Sequence, residues 1–272
     1  MGSAGLYLIV AVFTVWTLFP FYSMFVSSLS PKEVVFSVPP RYLPPVTLEN
    51  YVTLVEQLPL FDYLGNSTLF AVGSALLSVA VSFLAAYAFV RVPVRGSQWI
   101  LAGLVASMAL PEIVTVIPLY SVLRSLRLIN SVSGLVLVMG SVLTPFTIWA
   151  LVSFIQQVPR EIEEAAIIDG ASLPQVLLRV VVPLMRPSMV TLFLINLISS
   201  WNNLLYPLVF TTTPEAKTLT VAITEVFQAR SPYGRPWELI SALGMLMVFP
   251  MMILVFLSER AIVSGLTRGS AK

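Results

Sequence analysis

Long apolar runs alternating with short polar segments set the pattern of this chain. The runs fall at residues 5–29, 64–90, 99–120, 132–155, 188–210 and 237–257. Each is long enough, at about 1.5 Å per residue, to cross a hydrocarbon core of roughly 30 Å. The pattern predicts an all-α fold, a polytopic membrane bundle of about six helices forming one domain over residues 1–272. The first run reads as a retained span. It is longer than a signal-peptide core, has no basic n-region, and continues into Phe19-Pro20-Phe21-Tyr22 without a small-residue cleavage site. Aromatic residues stand near several run ends, as Tyr22, Tyr63, Trp99, Tyr120, Trp149, Tyr206 and Trp237 do, where amphipathic rings favour the headgroup region.

Five connectors and a tail join the runs: a Pro-rich loop at 30–63, a basic turn at 91–97, loops at 121–131 and 211–236, a polar segment at 156–187, and the tail from Ser258. The segment 156–187 carries the most local information. Pro159 stands at a helix start, Glu161, Glu163 and Glu164 occupy the first turns, and Gly170 marks a stop. Ser172-Leu173-Pro174-Gln175 then has the form of a capping box, so a second helix is expected there, limited by Pro183 and Pro187. The segment therefore predicts a helical hairpin outside the bilayer, with Ala165 and Ala166 small enough for another protein to approach closely. An ordinary solvated interfacial helix reads the same way from capping and charge alone.

Composition sharpens this picture by exclusion. Hydrophobic residues make up 57% of the 272 and charged residues 10%, against roughly 25% charged in a soluble domain. The chain has no Cys and no His, which removes disulfides, thiolate nucleophiles, imidazole bases and the usual zinc, haem and iron–sulfur ligands. A formal charge of +2 from scattered basic residues gives no nucleic-acid footprint. With six spans, both termini share a side with the 91–97 and 156–187 segments. Of the 15 basic residues that side holds 8 and the other 7, in longer segments. The higher density assigns both termini and the hairpin to the cytoplasm.

The run Glu164-Ala165-Ala166, three residues, Gly170, nine residues, Val180-Val181-Val182-Pro183 resembles the signature loop of permease subunits of ATP-binding-cassette (ABC) importers. That pattern has Ile and Leu where this chain has Val180 and Val182, both apolar. The likeness is closest to the carbohydrate-uptake group, the maltose-type subunit with six spans. Ala85-Ala86-Tyr87-Ala88-Phe89-Val90-Arg91, Trp201-Asn202 and Ile262-Val263-Ser264-Gly265-Leu266-Thr267 also look like that group.

The resemblance implies a multi-pass cell-membrane protein that forms half of the translocation pathway for a sugar or sugar-like solute. It implies a heterodimer with a second permease, two copies of a cytoplasmic ATPase, and an extracytoplasmic solute-binding protein. The hairpin becomes a coupling helix seated on the ATPase through Glu163, Glu164, Ala165, Ala166, Asp169, Gly170 and Pro183. Loop 211–236 would reach the binding protein, and the tail with Arg260, Arg268 and Lys272 would rest on the ATPase; a plain connector and an ordinary charged end are the alternatives.

Energy must come from elsewhere, and the chain is read as a non-catalytic subunit with no cofactor of its own. Its three Lys residues follow Pro31, Ala216 and Ala271, so no Gly-Lys pair exists to build a phosphate-cradling loop, and ATP with Mg belongs to the partner. A secondary transporter or channel for a small polar solute is the alternative class, and it normally carries ionisable groups at midplane. Away from their first and last residues, the apolar runs hold one such candidate, Glu112 after Pro111, either a pore-facing group or a plain helix-end residue. An intramembrane enzyme would need paired acids or a base in the runs, and none is present. For solute contact the candidate is Trp201-Asn202-Asn203, a ring to stack on a sugar and amides for its hydroxyls. Interhelical packing and hydrogen bonding would use the same three residues.

Overall fold

The computed structural model of the protein describes residues 3–39, 41–43, 45–93, 95–229 and 234–268. These form α1 (Ser3–Ser28), α2 (Lys32–Val35), α3 (Glu49–Gln57), α4 (Leu60–Arg91), α5 (Ser97–Ser107), α6 (Glu112–Ser125) and α7 (Val132–Ile155). There follow α8 (Arg160–Ile168), α9 (Leu173–Val176), a π turn (Leu177–Val181), α10 (Val182–Trp201), α11 (Leu205–Phe210), α12 (Leu219–Gln228) and α13 (Trp237–Arg268). Among the described residues, five helical stretches are long and apolar enough to cross a membrane: Gly5–Ser28, Leu60–Arg91, Val132–Ile155, Leu173–Trp201 and Trp237–Phe256. The fold is all-α, as the apolar pattern predicts.

The third apolar run departs from expectation. Instead of one helix over 99–120 there are two, α5 and α6, bent by 106°. The break lies at Met108-Ala109-Leu110-Pro111, where the proline ring removes a backbone donor and pushes Leu110 away from helical geometry. Counted as one broken span, the pair brings the total to six.

The fifth run departs in the opposite direction. Helix is continuous from Leu173 to Trp201, so Pro183 and Pro187 do not limit the second helix of the hairpin. A proline ring in a regular α-helix clashes with the carbonyl four residues back. Here the wider π turn at Leu177–Val181 ends two residues before Pro183 and contains Arg179, the residue four back, so it loosens the ladder where that clash would fall. The other end of this run breaks instead, at Asn202 to Leu204. The two long connectors are also partly helical, with α2 and α3 inside 30–63 and α12 inside 211–236.

The chain divides into two compact units. One comprises Met1–Leu64 with Thr218–Ile253, the other Gly65–Lys217 with Leu254–Lys272. Within the first unit, residues 5–23 of α1 are all exposed on this chain, so lipid or another subunit must cover them. Its C-terminal end is tied by Asn50, whose amide nitrogen donates to the carbonyls of Ser28 and Ser30, each at 2.9 Å. Tyr63, placed near a span end by the aromatic pattern, is buried within this unit.

The second unit packs α4, α7 and the α9–α10 helix around Phe83, Ala86, Leu151, Ile155, Val176 and Met185. Close approach of α4 and α7 rests on small residues: a Cβ at Gly73 would lie 2.9 Å from Val136, and one at Gly140 would lie 2.8 Å from Leu77. A polar seam runs through the same packing. The Asn196 amide donates to Thr147 Oγ1 at 2.9 Å and to Ser78 Oγ at 3.3 Å, and all three side chains are buried. Tyr206, another residue of the aromatic pattern, is fully buried here and stacks on Phe210 at 5.8 Å. The side chains of Arg260 and of Ile262 to Arg268, and all of Lys272, lie outside the described residues.

Candidate functional site

Helix α8 begins after Pro159 and ends in a Schellman arrangement. The Ala171 amide donates to the Ala166 carbonyl at 3.0 Å and the Gly170 amide to the Ile167 carbonyl at 2.9 Å. Gly170 holds φ at +88°, a conformation that a side chain makes costly. The reversal leads into the capping box read from the sequence, with the Ser172 amide donating to Gln175 Oε1 at 2.7 Å. The hairpin therefore forms from local signals.

Its two faces have different fates. Glu161, Glu164, Ala165 and Ile168 are exposed, Ile168 at 85%, and their spacing of three and four residues puts them on one side of α8. Asp169, Gly170 and Pro183 are exposed as well. Ala166 is half-buried and packs on the second unit's core, so only one of the two alanines is open to a partner. Glu163 is 5% exposed and turns inward.

Glu163 meets the end of α4. Arg91 Nε donates to Glu163 Oε1 at 2.8 Å and Arg91 Nη2 lies 2.7 Å from the same oxygen. The Tyr87 hydroxyl donates to Glu163 Oε2 at 2.9 Å. Arg91 Nη2 also donates to the Val158 carbonyl at 2.8 Å and, more weakly, to that of Ile155 at 3.4 Å. Arg160 returns the link, its Nη2 donating to the Val90 carbonyl at 3.0 Å. The guanidinium thus joins α4, the carbonyl-rich end of α7 and α8, where a cation also suits the helix dipole. Neither Tyr87 nor Arg91 stands out by sequence as a functional residue. The available signal was their spacing of four on one helix face, ending at a lone cation, ahead of a hairpin rich in unpaired acids.

A second constellation forms where the two helix breaks meet. Glu112 lies in the first turn of α6, exposed, which suits its charge. Asn203, at the break after α10, donates from Nδ2 to Glu112 Oε2 at 3.3 Å and accepts the Tyr206 amide on Oδ1 at 3.2 Å. Thr115 donates to the Glu112 carbonyl at 2.6 Å and lies 2.9 Å from the Tyr206 hydroxyl. Asn202 is exposed, with its amide donating to the Ile198 carbonyl at 2.9 Å. Trp201 does not join this site as a stacking platform, being 8% exposed. Among the described residues, no cluster of acids is placed to hold a metal ion.

Comparison with known proteins gives a consistent result. Residues 78–268 match the family model described as the inner membrane component of binding-protein-dependent transport systems. The sulfoquinovosyl glycerol transport system permease protein SmoH of Agrobacterium fabrum is 33% identical over 94% of this chain and 89% of its own. The diacetylchitobiose uptake system permease protein DasC of Streptomyces coelicolor is 31% identical over 93% and 91%. The trehalose/maltose transport system permease protein MalG of Thermococcus litoralis is 33% identical over 94% and 91%. In fold, the chain is similar to a chain from the crystal structure of a bacterial ABC transporter involved in import of the acidic polysaccharide alginate. That match has a TM-score of 0.80, covers 93% of this chain and 94% of the other, and has 20% identity.

Proposed function

The chain belongs to the family of binding-protein-dependent transport system inner membrane components, and from that membership we propose that it carries a sugar or sugar-like solute across the membrane as one of two paired permease subunits. The observation that supports this reading most directly is the hairpin between α7 and α10, on which Glu164, Ala165 and Ile168 are exposed. The relatives named for sulfoquinovosyl glycerol, diacetylchitobiose and trehalose or maltose support a glycoside as cargo. In this reading the hairpin sits on one of two cytoplasmic ATPase copies, which bind ATP and Mg, and both termini are cytoplasmic. A second permease covers part of the bare α1 surface. An extracytoplasmic binding protein delivers the solute, and loop 211–236 helps to dock it.

Solute contact is assigned to Glu112, Asn202 and Asn203. Broken helices at midplane are a recurrent way to aim polar groups into a transport path, and hydroxyls of a sugar can pair with a carboxylate and amides. Affinity purification of the tagged chain from native membranes, followed by mass spectrometry, tests the assembly. Recovery of an ATPase, a second permease and a binding protein is the expected outcome. A stable homo-oligomer without an ATPase would instead indicate a channel or secondary transporter.

A further inference from the structure

The hairpin is joined covalently to α7 at one end and to α10 at the other, but α4 lies some 70 residues upstream and has no covalent link to it. Any displacement of α8 reaches α4 directly only through side chains. We infer that the Tyr87–Arg91–Glu163 clasp is the joint that makes α4 move with the hairpin, with Arg91 and Glu163 acting as positioning residues for coupling. This inference rests on the proposal that the hairpin is seated on an ATPase.

Three observations carry it. The contact is nearly dry, the Arg91 and Glu163 side chains being 10% and 7% exposed, so solvent does not screen it as it would a surface pair. It is also multiply connected. Both carboxylate oxygens of Glu163 are engaged, and one guanidinium spans Glu163 and the Val158 carbonyl, so the two helices cannot slide without breaking several bonds together. Finally, α8 presents opposite functions on opposite faces: residues exposed to a partner at 161, 164, 165 and 168, and the clasp at 163. A push on the outer face therefore loads the inner one.

The test exploits the absence of cysteine from the chain. Val92 is exposed just beyond the apolar span and continues the α4 ladder, its amide donating to the Ala88 carbonyl at 3.0 Å, so Val92→Cys gives a single site whose maleimide labelling on this chain can be timed in the purified assembly. Labelling with Mg-ATP and vanadate is compared with labelling in nucleotide-free buffer. The expected result is a nucleotide-dependent change in rate of at least about fivefold, the lower end of ordinary coupling between sites. In Glu163→Gln that change falls below about twofold while the ATPase still co-purifies.

A Glu163→Gln assembly with the full nucleotide response overturns the inference, as does an original chain whose α4 label ignores nucleotide. If Glu163→Gln does not assemble, Tyr87→Phe and Arg91→Lys weaken the clasp more gently. An undiminished response in both overturns it equally. Failure of the unmodified chain to co-purify with any ATPase would instead count against the importer reading.

Discussion

Helices α6 and α8 start from the same local grammar and end in opposite circumstances. Each follows a proline, Pro111 or Pro159, in extended geometry, and each has acid in its first turn. Yet Glu112 stays exposed with one amide at 3.3 Å, whereas Glu163 is buried and holds Arg91 and Tyr87 at 2.7 to 2.9 Å. The difference lies in position along the helix. Glu112 is the first residue of α6, where side chains splay outward, and Glu163 is the fourth residue of α8, on the face that Ala166 continues into the core. One carboxylate is held by a single long hydrogen bond at an exposed position. The other is fixed by a buried pair whose rupture would leave an uncompensated charge.

Substitutions that disturb the firm end should have the largest effects. Gly170→Pro demands φ near −65° where the chain holds +88°, and removes the amide that donates to Ile167. Uptake into proteoliposomes should fall to background, and uptake at the original rate would mean that the hairpin does not couple. Glu163→Ala, which strands Arg91, should cost about 3–5 kcal/mol, read as a lowered unfolding midpoint in detergent. Tyr87→Phe removes one hydrogen bond to a charged group and should cost about 1.5 kcal/mol. If both variants matched the original chain, the clasp would be no firmer than the Glu112 contact. At the loose end, Glu112→Gln should change stability by less than about 0.5 kcal/mol. It should still raise the KM for uptake severalfold, since a hydrogen bond to a charged group is worth about 1.5 kcal/mol or more. Unchanged uptake would return Glu112 to a plain helix-end role.

The sites differ as much in how legible they were. Gly170 and the Ser172–Gln175 box could be read because capping is settled within a turn or two of chain, and the structure forms both. Trp201 and Asn203 are only two residues apart, yet one is buried and the other faces Glu112, a distinction that depends on where α10 breaks. Pro183 read as a stop because the α-helical rule applies to regular turns, and the π turn before it is not one. Arg91 was visible only as part of a family-like run, since its partner stands 72 residues away.

The sequence by itself determined which stretches are apolar enough to span a membrane, where the hairpin turns, and which family the chain resembles. These are properties of composition and of contacts between residues a few positions apart. Tertiary structure alone decided that Glu163 turns inward to Arg91 and that the two helix breaks bring Glu112 to Asn203. Each of these depends on which helix faces are brought together, and packing between distant segments selects among local conformations that the sequence leaves close in energy.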